Sequence, residues 1–284
     1  MKRHFVFLLC SILVLGLCGC SEDVQTSTSP TEGLVEFPKR PSMGLEYTVN
    51  EDGETCTITG MGECTDTVLV IGEMQDGYRV TDIGESAFYG CTALTAVSLP
   101  DSLLTVGAYA FFECTGVKHM ELGDQLVSIG KYGFADCSFS TIHIPASLEQ
   151  VGEWAFFTCA SLKAVHITDL ERWCNIRFEG AYANPLIYAG ELYLDNQLVT
   201  QVHIPDSLTA IGAWAFSGCT SITEVTIHET VESIGQRAFM DCKNLRSIHY
   251  AGTMDQWSQV GKGSNWNFHL SEYRIICADG ELKK

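Results

Sequence analysis

Apolar and polar positions recur along the chain in two interleaved registers. The first is the nine-residue pattern [IV]-G-x-x-[AG]-F-x-x-C, found at Ile83 to Cys91, Val106 to Cys114, Ile129 to Cys137, Val151 to Cys159, Ile211 to Cys219 and Ile234 to Cys242. Its Phe residues, 88, 111, 134, 156, 216 and 239, are spaced by 23, 23, 22, 60 and 23. Between blocks lies a short run of alternating polarity: Val97-Ser98-Leu99, Met120-Glu121-Leu122, Ile142-His143-Ile144, Val165-His166-Ile167, Val202-His203-Ile204 and Val225-Thr226-Ile227. Period-two alternation predicts a strand whose first and third side chains point inward. Each unit of about 23 residues is one coil, with a strand on one side and a Gly-x-x-Ala-Phe turn on the other. A lone coil cannot bury its apolar edge, so coils must stack.

Within a coil, Phe is assigned to the interior, stacked on its neighbours. The Gly is assigned to a backbone turn closed to other residues. Cys91, Cys114, Cys137, Cys159, Cys219 and Cys242 form a column of small core side chains rather than a metal cluster, because the paired Cys and His spacings of zinc sites are missing. Cys56 and Cys64 flank Gly60-Met61-Gly62 and are candidates for a disulfide across a hairpin.

The full pattern resembles the BspA-type leucine-rich repeat of bacterial surface proteins over about residues 70 to 250. The resemblance implies a repeat solenoid, mainly β with short helical or 3-10 turns, and a surface protein associated with adhesion. Gly133, Gly123 and Phe139 depart from the pattern at core and turn positions.

The 60-residue step marks an insertion at 168–200. Asp169 precedes a helical pattern through Ile176, and a hairpin follows around Asp195-Asn196-Gln197. A matching helix recurs at Thr253 to Val260, with Trp257 in the place of Trp173. The array is therefore read as a capping unit at 45–82, repeats at 83–250 and a C-terminal capping module at 251–284.

Ahead of the array, Lys2 and Arg3 precede an apolar run from Phe5 to Leu17, too short to span a bilayer. The run ends in Leu17-Cys18-Gly19-Cys20, which resembles a bacterial lipobox. Residues 1–19 are read as a signal peptide, Cys20 as the lipid attachment point, and 20–44 as a flexible polar tether. The envelope, facing outward, is the expected location, with the membrane engaged through the lipid only.

The formal net charge of −18 disfavours a nucleic-acid partner, since phosphate neutralisation needs clustered Lys and Arg. Enzyme signatures are missing: there is no Gly-x-Ser-x-Gly elbow, phosphate-cradling loop or His-Glu-x-x-His. Cys174 and His166 form the one nearby thiol and imidazole pair, which helix packing explains equally well. Two surface columns are candidates for binding. Outward strand positions supply Ser98, Glu121, His143, His166, His203, Thr226 and His249, the expected face for a surface or matrix protein. His143 and His166 come from consecutive coils, which suits either a metal or pH-sensing ladder or an ordinary solvated sheet. The second reading is preferred, so neither metal nor cofactor is expected. The other column is Tyr109, Tyr132, Trp154 and Trp214, an alternative platform for a glycan or cell-wall polymer.

Overall fold

A computed structural model describes residues 36–283. Signal peptide 1–19, Cys20 and the first part of the 20–44 tether lie outside the described residues.

The stacking inferred from periodicity is present, with each coil contributing one strand to each of two faces. On the first face, Val68–Val70, Ala96–Ser98 and His119–Glu121 pair in parallel. They are followed by Thr141–His143, Ala164–Ile167 and Glu191–Leu194, whose Ile142, Val165 and Leu192 are in register. After the antiparallel strand Gln197–Leu198, a new parallel set begins: Gln201–His203, Glu224–Ile227, Ser247–Tyr250 and Arg274–Cys277. Short strands such as Thr105–Val106, Ser128–Ile129 and Gln150–Val151 line the second face.

The core is a column of rings. Phe88, Phe111, Phe134 and Phe156 are wholly buried and stack at centroid spacings of 5.0, 5.6 and 5.8 Å. Phe216 and Phe239 continue it at 5.4 Å. Phe139, in a Leu position, packs edge-on against Phe134 at 6.4 Å. Beside the rings the thiols form a ladder. Cys114, Cys137, Cys159 and Cys242 donate to the carbonyls of Phe88, Phe111, Phe134 and Phe216 in the preceding coil at 3.0 to 3.3 Å. Cys91, in the first block of the series, is only half-buried.

The motif glycine has a different role from the one expected. It does not adopt positive φ; a Cβ on Gly130 would sit 2.6 Å from the Ala108 amide nitrogen, and one on Gly235 2.4 Å from that of Ala213. Close approach of neighbouring coils, not turn geometry, excludes a side chain. The left-handed positions fall on side-chain-bearing residues instead: Tyr109, Tyr132, Trp154 and Trp214 have φ of 55 to 65°. Such backbone is disfavoured for bulky L-residues. Inter-coil amide bonds offset this, as when Tyr109 donates to the Lys131 carbonyl at 2.8 Å.

The tether is shorter than expected at its folded end, because Ser42 is buried and exchanges hydrogen bonds with Val70. Residues 168–200 do not leave the stack. Helix Leu170–Asn175, capped by Asp169, leads to Arg177–Phe178, which pairs with Gln150–Val151, and then to Glu191–Leu194 on the other face. The predicted hairpin therefore begins with a full rung. The C-terminal helix Met254–Gln259 has a capping box from Thr253 and Gln256, and its coil likewise supplies Gly261–Lys262 and Arg274–Cys277.

The two stacks meet at a seam where the backbone ladder is interrupted. In regular coils the Ala110, Gly133, Ala155 and Ala238 carbonyls accept the amide of a core Phe in the previous coil. The equivalent Ala215 carbonyl is met by two side chains instead: Trp173 Nε1 at 2.9 Å and Asn184 Nδ2 at 3.1 Å. Asn184 also donates to the Trp214 carbonyl at 2.7 Å and accepts from the Leu186 amide at 2.9 Å. Both side chains are buried.

Candidate functional site

Because alternate strand residues face outward, each coil places one side chain in a surface column. Register aligns Ser98 with Glu121, and Ser98 donates to its carboxylate at 3.0 Å. Farther along, His143, His166 and Tyr193 are in register and stack, with centroids 4.5 and 4.7 Å apart. His166 Nδ1 also pairs with Asn196 Oδ1 at 3.2 Å. The single column expected from sequence is divided by the antiparallel strand Gln197–Leu198. His203, Thr226 and His249 line up in the second set, where His249 lies 3.6 Å from Glu224.

A recess of about 580 Å³ opens beside the stacked imidazoles, bounded by Asp124, Pro145, Asp195 and Asn196. Burial lowers the pKa of His143, opposed by Glu121. Burial and the neighbouring His143 lower that of His166, opposed by Asn196. Both rings are therefore held toward the neutral form. Parallel stacking keeps their in-plane lone pairs from converging, and the described residues hold no group of three metal-ligating side chains. The arrangement suits hydrogen bonding and ring contact with a partner. Tyr193 was missed as a site residue, although the alternation Leu192-Tyr193-Leu194 carried the signal; its place in a presumed hairpin hid its rung.

On the turn side, the aromatic column is wider than expected. Tyr109 and Tyr132 stack at 5.1 Å, and Tyr132 meets Trp154 at 5.0 Å. Tyr89, Phe112, Phe157 and Tyr182 join them in one continuous band. Trp214 does not belong to it: it is only 8% exposed and lies under Arg237, 4.9 Å from the ring centre.

The thiols offer no reactive centre of the kind considered for Cys174. That residue is fully buried, and burial, with Asp169 and Glu171, pushes its thiol up to about 12. Cys56 and Cys64 are both free, so the candidate disulfide is not formed.

The profile of the BspA type leucine rich repeat region matches in six copies over residues 81–182 and 189–261, more than half of the chain. Among solved structures, the chain is similar to the leucine rich repeat protein of T. pallidum, with 25% identity, 80% of this chain and 86% of that chain covered, and a TM-score of 0.47. A leucine-rich repeat protein from Bacteroides capillosus is 29% identical over 44% of this chain and 95% of its own, with a TM-score of 0.39. One from Eubacterium ventriosum is 19% identical over 78% and 66%, with a TM-score of 0.41. No curated protein matches the chain.

Proposed function

The chain belongs to the BspA-type leucine-rich-repeat family, and from that premise we propose that it is a non-catalytic, lipid-anchored module of the cell envelope whose outward sheet face binds a host or neighbouring-cell protein. Leucine-rich-repeat folds generally mediate protein–protein interaction. The observation that carries the present assignment is the His143–His166–Tyr193 stack beside its recess. Rings held by rung spacing present a pre-ordered surface, so little side-chain entropy is lost on binding.

The anchor follows from Leu17-Cys18-Gly19-Cys20. Incorporation of labelled palmitate, abolished by Cys20→Ala, is the expected result; undiminished labelling would remove the anchor. A glycan platform gains less support. Sugar rings need free aromatic faces, whereas Tyr109 and Tyr132 lie face to face with planes 17° apart, and Lys131 covers Trp154 at 4.8 Å.

Probing the full chain against arrays of surface and matrix proteins and of glycans tests the assignment. A protein ligand is expected whose affinity falls about tenfold in His143→Ala/Tyr193→Ala, the loss of two central interface contacts. Capture of glycans alone would overturn it.

A further inference from the structure

The geometry points to a second binding surface on the turn side: the aromatic band receives an extended, cationic segment of a protein, with Arg or Lys side chains lying over its rings. This surface is separate from the outward sheet column and does not depend on it.

Three observations carry the inference. Large rings are solvent-exposed in a row across successive coils, with Tyr89 49%, Phe157 36% and Tyr182 38% accessible and Phe112 half-buried between them. These side chains do not build the core, which the inner Phe column fills. Acidic groups accompany the band. Glu113 follows Phe112, and its carboxylate lies close enough to Tyr89 to raise the phenol's pKa, while Asp136 joins the band through its backbone amide, which donates to the Phe157 carbonyl at 2.8 Å. The third observation is a working example of the contact within the chain. Lys131 Nζ sits 4.8 Å from the centre of Trp154 and 5.8 Å from that of Tyr132, while pairing with Glu153 at 3.0 Å. A cation held between a ring and a carboxylate is the arrangement the rest of the band offers to a partner. Among the described residues, no Lys or Arg lies over Tyr89, Phe112, Phe157 or Tyr182.

Charge selects the occupant. A chain of net charge −18 repels a second copy of itself and attracts a basic polypeptide. Flat rings flanked by carboxylates favour guanidinium, which stacks and hydrogen-bonds at once.

Titration of the full chain, kept in detergent, with a short fluorescent Arg/Pro peptide tests the proposal, with the citrulline analogue as a neutral control of the same shape. Binding is expected for the Arg peptide, with at least tenfold weaker binding of the citrulline form. Phe157→Ala/Tyr182→Ala should weaken it about tenfold, in line with loss of cation–ring contacts. Tyr182→Phe, which keeps the ring, should bind nearly as the parent does and controls for folding. Leu198→Ala, an exposed side chain away from the band, should leave binding of the Arg peptide at the parent's value. Equal binding of the citrulline peptide would overturn the proposal. So would loss of binding in Glu113→Gln/Asp136→Asn with none in the aromatic variant, which marks diffuse charge attraction. Absence of Arg-peptide binding beside saturable quenching by a glycan, or a dimer that buries the band, would overturn it as well.

Discussion

Replacing Trp173 by Phe and Asn184 by Ala, singly and together, probes how two stacks are joined where the backbone ladder stops. The Ala215 carbonyl has two donors, Trp173 Nε1 and Asn184 Nδ2. Either single change leaves it one. Trp173→Phe removes one buried bond and some ring area, a loss of about 1–2 kcal/mol. Asn184→Ala also deprives the Leu186 amide of its acceptor, while the Trp214 carbonyl keeps the Ser217 amide at 2.9 Å, so about 2–3 kcal/mol is expected. The double variant strands the Ala215 carbonyl altogether, adding about 1–3 kcal/mol for a buried unsatisfied group. Coupling should therefore exceed about 1 kcal/mol, well above the 0.3–0.5 kcal/mol scatter of independent sites. Urea unfolding followed by tryptophan fluorescence and far-ultraviolet circular dichroism measures it. The two probes should separate in the double variant, as the stacks unfold apart. Additive losses with coincident transitions would mean that the Ala215 carbonyl does not join the two stacks.

Other consequences follow from local geometry. Gly130→Ala drives a methyl against the Ala108 amide and should lower stability by about 1–3 kcal/mol, whereas Gly180→Ala, with its nearest neighbour 3.9 Å away, should be tolerated; thermal unfolding compares them. His143 and His166 have folded pKa values below the ordinary value of about 6.5, so the unfolded chain takes up protons first. Their contribution to stability is present above that value and is lost as pH falls through the lowered ones. Unfolding midpoints should drop on acidification, and His143→Gln/His166→Gln should flatten the profile. Among the thiols of the repeat column, half-buried Cys91 should alkylate first at mildly alkaline pH. Cys114 and Cys159, pushed up to about 12 by burial, should react only on unfolding, as mass spectrometry of labelled peptides reports.

The coil length, the inward Phe and Cys columns, the strand register and both helices were legible because each rests on a short-range repeat. The role of the glycine was not, since close approach of two coils is a property of the stack rather than of one unit. The break between His166 and His203 was hidden for a similar reason: both occupy the same position in the motif, and the added rung at Glu191–Leu194 and the antiparallel strand Gln197–Leu198 separate them. Asn184 gave no signal, because a buried amide replacing a backbone donor has no periodicity. Tyr89, Phe112 and Phe157 each follow a core Phe directly, but Ala135, Ser217 and Met240 hold that position in the other blocks, so the band has no unbroken period in the sequence.

The outward face around His143, His166 and Tyr193 is the surface we propose a protein partner covers. Hydroxyl-radical footprinting of the full chain, free and bound to a protein captured on the arrays, tests it most directly. Oxidation of His143, His166 and Tyr193 should fall on binding, while the distant Phe268, 46% exposed, keeps its rate. Unchanged oxidation of all three in a saturated complex would place the partner on another surface.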